Sequence, residues 1–235
     1  MDVVLVPGFW LDASSWDRVR PAIEAAGHRV HAVTLPGLES VDADRTDIGL
    51  RDHIDAVIRL VDEIGAPVVL VGHSGGAPVI QGAIDARPDR VVRGVYVDSV
   101  PVPEGGVVNN ELPVVDGEIP LPDWSEFPDE DLVDLSDDIR TEFRARAIPQ
   151  PRGAAFDQQH LHDDRRYDVP VTVIACEFPS AMMLEWIAAE YAEVAELGQV
   201  RHVDYIDLPT GHWPQFTRPV ALGAAILAAV QTPAP

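Results

Sequence analysis

Four aliphatic residues at 68–71 run straight into Gly72-His73-Ser74-Gly75-Gly76, and a helix-compatible stretch follows from Ala77 to Ala86. An unbroken aliphatic run of that length suits a strand buried on both faces. The small residues after it leave room only for a sharp bend. A buried strand that turns at once into a helix is the building unit of a covered parallel sheet. The rest of the chain repeats the pattern. Apolar runs at 3–6, 29–33, 91–97, 171–175 and 203–208 read as strands. Helical spacing at 50–64, from Ser14 or Ser15 through Ala26, and at 220–230 supplies helices between and after them, with Pro21 delaying or bending the first. The expected fold is therefore α/β, with about six mostly parallel strands and helices on both faces.

The alternation breaks at 101–168, a segment rich in proline and acids. One helix is expected in it, with Leu132, Leu135, Ile139 and Phe143 on one side. It follows the C-terminal end of a strand, where ligands bind in such sheets. It is read as a cap (lid) insertion, which divides the chain into a core of 1–100 plus 169–235 and a cap of 101–168. Loops of this length often cover pockets.

Charge narrows the partners. Acidic residues outnumber basic ones 39 to 17, for a formal charge of −22. Such a surface repels nucleic-acid backbones and anionic membranes, so neither is expected as a partner. All 17 basic residues are arginine, which excludes Schiff-base chemistry and a P-loop lysine. The single cysteine, Cys176, and an N-terminus without a basic leader lead us to expect a cytoplasmic protein. No cofactor is expected. No metal is expected either, and the run from His160 to Asp164 reads as a solvated loop.

Ser74 sits in a Gly-x-Ser-x-Gly motif between a strand and a helix, the setting of a nucleophile elbow. The bend strains the serine backbone, so its neighbours must be small. Gly75 N–H then lies at a helix N-terminus, where it can donate to a developing oxyanion. A serine hydroxyl needs an adjacent base. Of eight histidines, His73 is expected to point away from the cleft. His28, His31 and His202 stand at the beginnings of strands, His53 lies in a helix, and His160 and His162 fall in the insertion. His212 stands between the last strand and the last helix.

These features resemble the α/β-hydrolase superfamily over nearly the whole chain, most closely its small esterase and hydroxynitrile-lyase branch. The run Val3 to Trp10 is similar to the family's oxyanion loop, with Pro7 where a histidine is usual. The resemblance implies the three-layer α/β-hydrolase fold without its first two strands. It implies His212 as the base and Phe9 N–H as a second oxyanion donor beside Gly75 N–H. The family's acid usually follows the fifth strand counted here, where this chain has no aspartate but offers Glu177. Some relatives place the acid one strand earlier, where this chain has Asp98. We take Asp98 first and keep Glu177 open.

The implied activity is a serine hydrolase that cleaves a carboxylic ester or lactone, a small-molecule substrate, through an acyl-enzyme on Ser74. A hydroxynitrile lyase would want a pocket lysine, which this chain lacks. A slow or inactive ligand-binding relative stays open. Trp10, Trp124 and Trp213 either line an apolar pocket or serve as packing.

Overall fold

The computed structural model describes residues 1–233. In chain order its regular elements are β1 (Asp2–Val6), α1 (Arg20–Ala25), β2 (Arg29–Ala32), α2 (Leu50–Ile64), β3 (Val68–His73), α3 (Ala77–Ala86) and β4 (Val91–Val97). The insertion contributes β5 (Glu118–Ile119), α4 (Asp137–Arg146), β6 (Gln150–Pro151) and α5 (Arg152–Phe156). The chain then returns with β7 (Val171–Ala175), α6 (Ser180–Ala188), β8 (Val203–Asp207), α7 (Pro214–Thr217) and α8 (Pro219–Gln231).

Six strands form one sheet in the order β2-β1-β3-β4-β7-β8, and every neighbouring pair is parallel. Side chains alternate between its faces, as the two-residue strand period demands. Val4, Val6, Val68 and Leu70 meet α2 and α3 on one face. Val3, Leu5, Val69 and Val71 meet α1 and α8 on the other. Both faces are therefore dry. The sheet becomes a rigid platform whose C-terminal strand ends carry the loops after β1, β3, β4, β7 and β8. The expected three-layer α/β architecture is present.

Local departures have local causes. The first helix splits into a 3₁₀ turn at Ala13–Trp16 and α1, with Pro21 in the first turn of α1, where its missing N–H costs nothing. In the insertion, α4 starts at Asp137 rather than near Leu132. Asp134 takes a left-handed φ of 64°, which interrupts a helix, and Ser136 then caps the new one through the N–H of Ile139. The β5–β6 pairing and α5 lie in sequence with no apolar period, and the insertion still joins a third apolar cluster. Ile119, Leu135, Phe143 and Ala155 pack with Phe9, Trp10 and Trp213 from the sheet's loops.

Candidate active site

β3 ends at His73, and Ser74 follows with φ 49°, a left-handed conformation that L-residues adopt only under constraint. The constraint is close packing. A β-carbon on Gly75 would run into the Phe9 ring, and one on Gly76 would stand 2.7 Å from the Pro7 carbonyl oxygen. The β1 loop and the bend after β3 thus press together with no side chain between them. This brings Phe9, Ser74 and Gly75 to one opening, which all three border.

The loop after β8 brings His212 to the serine. Nε2 of His212 lies 2.7 Å from Ser74 Oγ, and Nδ1 lies 2.7 Å from Asp98 Oδ2. Asp98 ends β4 with its own left-handed φ of 47°, and its Oδ1 accepts the backbone N–H of Cys176 at 3.0 Å and of Glu177 at 3.1 Å. A carboxylate only accepts here, so Nδ1 carries the proton and Nε2 is free to accept from the serine hydroxyl. Burial works against the charge on Asp98, but the His212 hydrogen bond and the backbone donor at Glu177 outweigh it and hold its pKa below the usual range. Burial also disfavours imidazolium at His212. Asp98 and Glu177 overcome this and raise the His212 pKa.

The serine, histidine and Asp98 expected from the sequence therefore meet. Glu177 is not a solvated loop acid either. Its Oε1 lies 2.9 Å from His212 Nδ1, and the side chain is only 12% exposed. Among the described residues, Asp98, Glu177 and His212 are the one group of three metal-ligand side chains whose donor atoms converge.

Two supports for His212 were not foreseen. His73 does face away from the opening, but it lies against His212, with ring centroids 5.1 Å apart. Its Nε2–H donates to the His212 carbonyl at 2.7 Å, and the ring is fully buried. Burial, with the His212 charge adding to it, pushes the His73 pKa down to about 3, so this ring stays neutral. From the other side, the insertion clasps the histidine loop by its backbone. His212 N–H donates to Asp131 O at 2.9 Å and Gly211 N–H to Val133 O at 3.1 Å. The glycine at 211 is what permits this approach, since a β-carbon there would collide with Asp131 O.

The opening leads into a cavity of about 700 Å³, and close to half of its wall residues belong to the insertion. Trp10 and Trp213 line it. Trp124 does not. Its half-buried ring stands behind the wall, edge-on to Trp213 and Phe143, so it supports the lining without forming it. Trp10 also ties the two parts together, its indole N–H donating to Ile119 O at 3.1 Å. The wall combines aromatic faces with the acids Glu111, Glu126, Asp131 and Glu177, and it contains no arginine. His160 and His162 are exposed and away from it, and His160 faces Glu104.

Residues 3–225 match the model of the Alpha/beta hydrolase family. This chain belongs to that family. A 99-residue stretch of this α/β-hydrolase is 37% identical to methylesterase 8 of Arabidopsis thaliana, covering 41% of this chain and 36% of that protein. A 100-residue stretch is 29% identical to the pyrethroid hydrolase of Sphingobium wenxiniae, covering 42% and 36% respectively. The aligned part spans little more than a third of the length of these relatives. The likeness in fold extends much further. An extracellular α/β-hydrolase from a Paenibacillus species superposes with a TM-score of 0.78 over 97% of this chain and 98% of its own, at 20% identity.

Proposed function

We propose that this α/β-hydrolase is a serine esterase that cleaves carboxylic esters, or lactones, of small uncharged molecules through an acyl-enzyme on Ser74. The observation that carries the reading is the unbroken chain Ser74 Oγ–His212–Asp98, with both links at 2.7 Å. The ester chemistry named for the plant methylesterase and the bacterial pyrethroid hydrolase supports it.

In this reading Ser74 Oγ attacks the carbonyl carbon while His212 Nε2 takes its proton. The N–H groups of Phe9 and Gly75 hold the oxyanion, and each such donor is worth about 3 kcal/mol in the transition state. The carbon–oxygen bond to the alcohol then breaks, and His212 returns the proton to the departing alkoxide. Water attacks the acyl group, His212 takes a proton from it, and collapse releases the acid and restores the serine hydroxyl. Asp98 stays ionised throughout. It holds the tautomer and faces the positive charge that forms on the ring. The insertion shapes the pocket and covers the acyl-enzyme from bulk water.

The test is hydrolysis of p-nitrophenyl acetate by Ser74→Ala. Turnover should fall by at least ~10⁴-fold, as removal of a triad member implies, with the thermal melt preserved. Retained turnover in a folded variant contradicts the reading.

A further inference from the structure

The triad leaves one carboxyl group without a task. Glu177 arrives from the loop after β7, while Asp98 arrives from the end of β4, and both reach the same nitrogen of His212. Asp98 Oδ2 is at 2.7 Å and Glu177 Oε1 at 2.9 Å. The Nδ1–H is aligned with Asp98, and the Glu177 contact at the same nitrogen is close without forming an aligned hydrogen bond. Asp98 takes the N–H because its second oxygen is already anchored by two backbone N–H groups. Glu177 Oε1 is left buried with no hydrogen bond of its own. A buried acceptor without a donor is unfavourable, so its place beside the imidazole calls for a role.

We propose that, given the serine esterase reading above, Glu177 is a second, positioning carboxylate for His212. It faces the imidazolium as it forms, and it takes over the Nδ1–H when Asp98 is absent. A small tilt of the ring is enough to transfer the bond, since both oxygens already lie at hydrogen-bond distance from the nitrogen. The groups that face Glu177 are Asp98 from β4, Asp131 from the insertion and His212. His73 lies across the histidine ring. Burial raises Glu177 most, His212 pulls it down, and Asp98 and Asp131 add to the rise, which brings it to about 7. Its negative charge therefore appears within the neutral range. Ionised Glu177 helps to raise the His212 pKa, so it moves the upward limb of the kcat profile, where His212 loses its proton, to higher pH.

The experiment is a double-mutant cycle on the full chain with p-nitrophenyl acetate from pH 5 to 9. Asp98→Gly removes one carboxylate and suits the left-handed φ at that position. Glu177→Gln removes the other. We expect Glu177→Gln alone to lose less than tenfold in kcat and to shift the upward limb of its pH profile to lower pH. Asp98→Gly alone should lose about 10²-fold, and the double variant about 10⁴-fold, the size expected for a triad without its acid. An equal effect of Glu177→Gln in both backgrounds overturns the inference. Should Asp98→Gly fail to fold, NMR titration of His212 in Glu177→Gln decides: a lowered His212 pKa supports the role, and an unchanged one overturns it. These outcomes are separate from the fate of the esterase reading, which falls only if Ser74→Ala keeps its turnover.

Discussion

Replacing Gly211 by alanine touches no side chain of Ser74, His212 or Asp98, yet it should strongly reduce the proposed ester turnover. The new methyl group would collide with Asp131 O and stand 2.7 Å from Val133 O and 2.8 Å from Val133 N. All three are backbone atoms, so no rotamer change relieves the overlap. The loop and the insertion must separate by about 1 Å. That breaks the bonds from Gly211 N–H to Val133 O and from His212 N–H to Asp131 O. Two backbone bonds at about 1 kcal/mol each, with about 1 kcal/mol or more for the forced packing, give a loss near 3 kcal/mol. For a chain of this size that lowers Tm by roughly 6–12 °C. The imidazole moves with its loop, and a misplacement of about 1 Å costs on the order of 10²-fold in kcat. The assay pairs p-nitrophenyl acetate kinetics with a thermal melt. Gly198→Ala is the control, because its methyl would meet only Ile187, at an ordinary 3.4 Å. A Gly211→Ala protein with kcat within threefold of the parent and Tm within a few degrees would refute the view that the insertion's backbone clamps the histidine loop.

Two further expectations follow. His73 stays neutral when folded, whereas in the unfolded chain it protonates below about 6.5. The unfolded state then binds more protons, so the native state is unaffected by this group above pH 6.5. It loses about 1.4 kcal/mol per unit as pH falls from there toward 3. His73→Gln should flatten the acid limb of stability measured by urea midpoints, and an unchanged slope would sink this assignment. The cavity wall carries several carboxylates and no arginine, so a substrate with a free carboxylate is repelled. Monoethyl succinate should show kcat/KM at least about tenfold below ethyl butanoate, a penalty near 1.4 kcal/mol that salt should reduce. Equal values would contradict an acidic pocket.

The parts that were legible in the sequence are those with strong local constraints. The aliphatic run at 68–71 with its glycines could only be a buried strand entering a tight bend, and the structure places β3 and Ser74 there. The resemblance to the α/β-hydrolases pointed to His212, which stands between the last strand and the last helices. The acid was not decidable. Asp98 and Glu177 end neighbouring strands, β4 and β7, and both reach Nδ1. Only side-chain geometry separates them. Asp98 wins the hydrogen bond through its two backbone donors, a feature with no sequence signal. The insertion was least legible. Leu132 and Leu135 keep helical spacing with Ile139, but the left-handed Asp134 stops a helix there. The exclusion of Trp124 from the cavity depends on rings that come from α4 and the loop after β8. The clasp at Gly211 was hidden for the same reason, since its partners lie some eighty positions away.

The most direct measurement is mass spectrometry of the protein after brief exposure to p-nitrophenyl acetate and acid quench. The account predicts a single acetyl adduct on the peptide that contains Ser74, formed in a burst equal to the enzyme concentration and absent from Ser74→Ala. Ester turnover with no adduct at Ser74, or with the acetyl group on another residue, would contradict it.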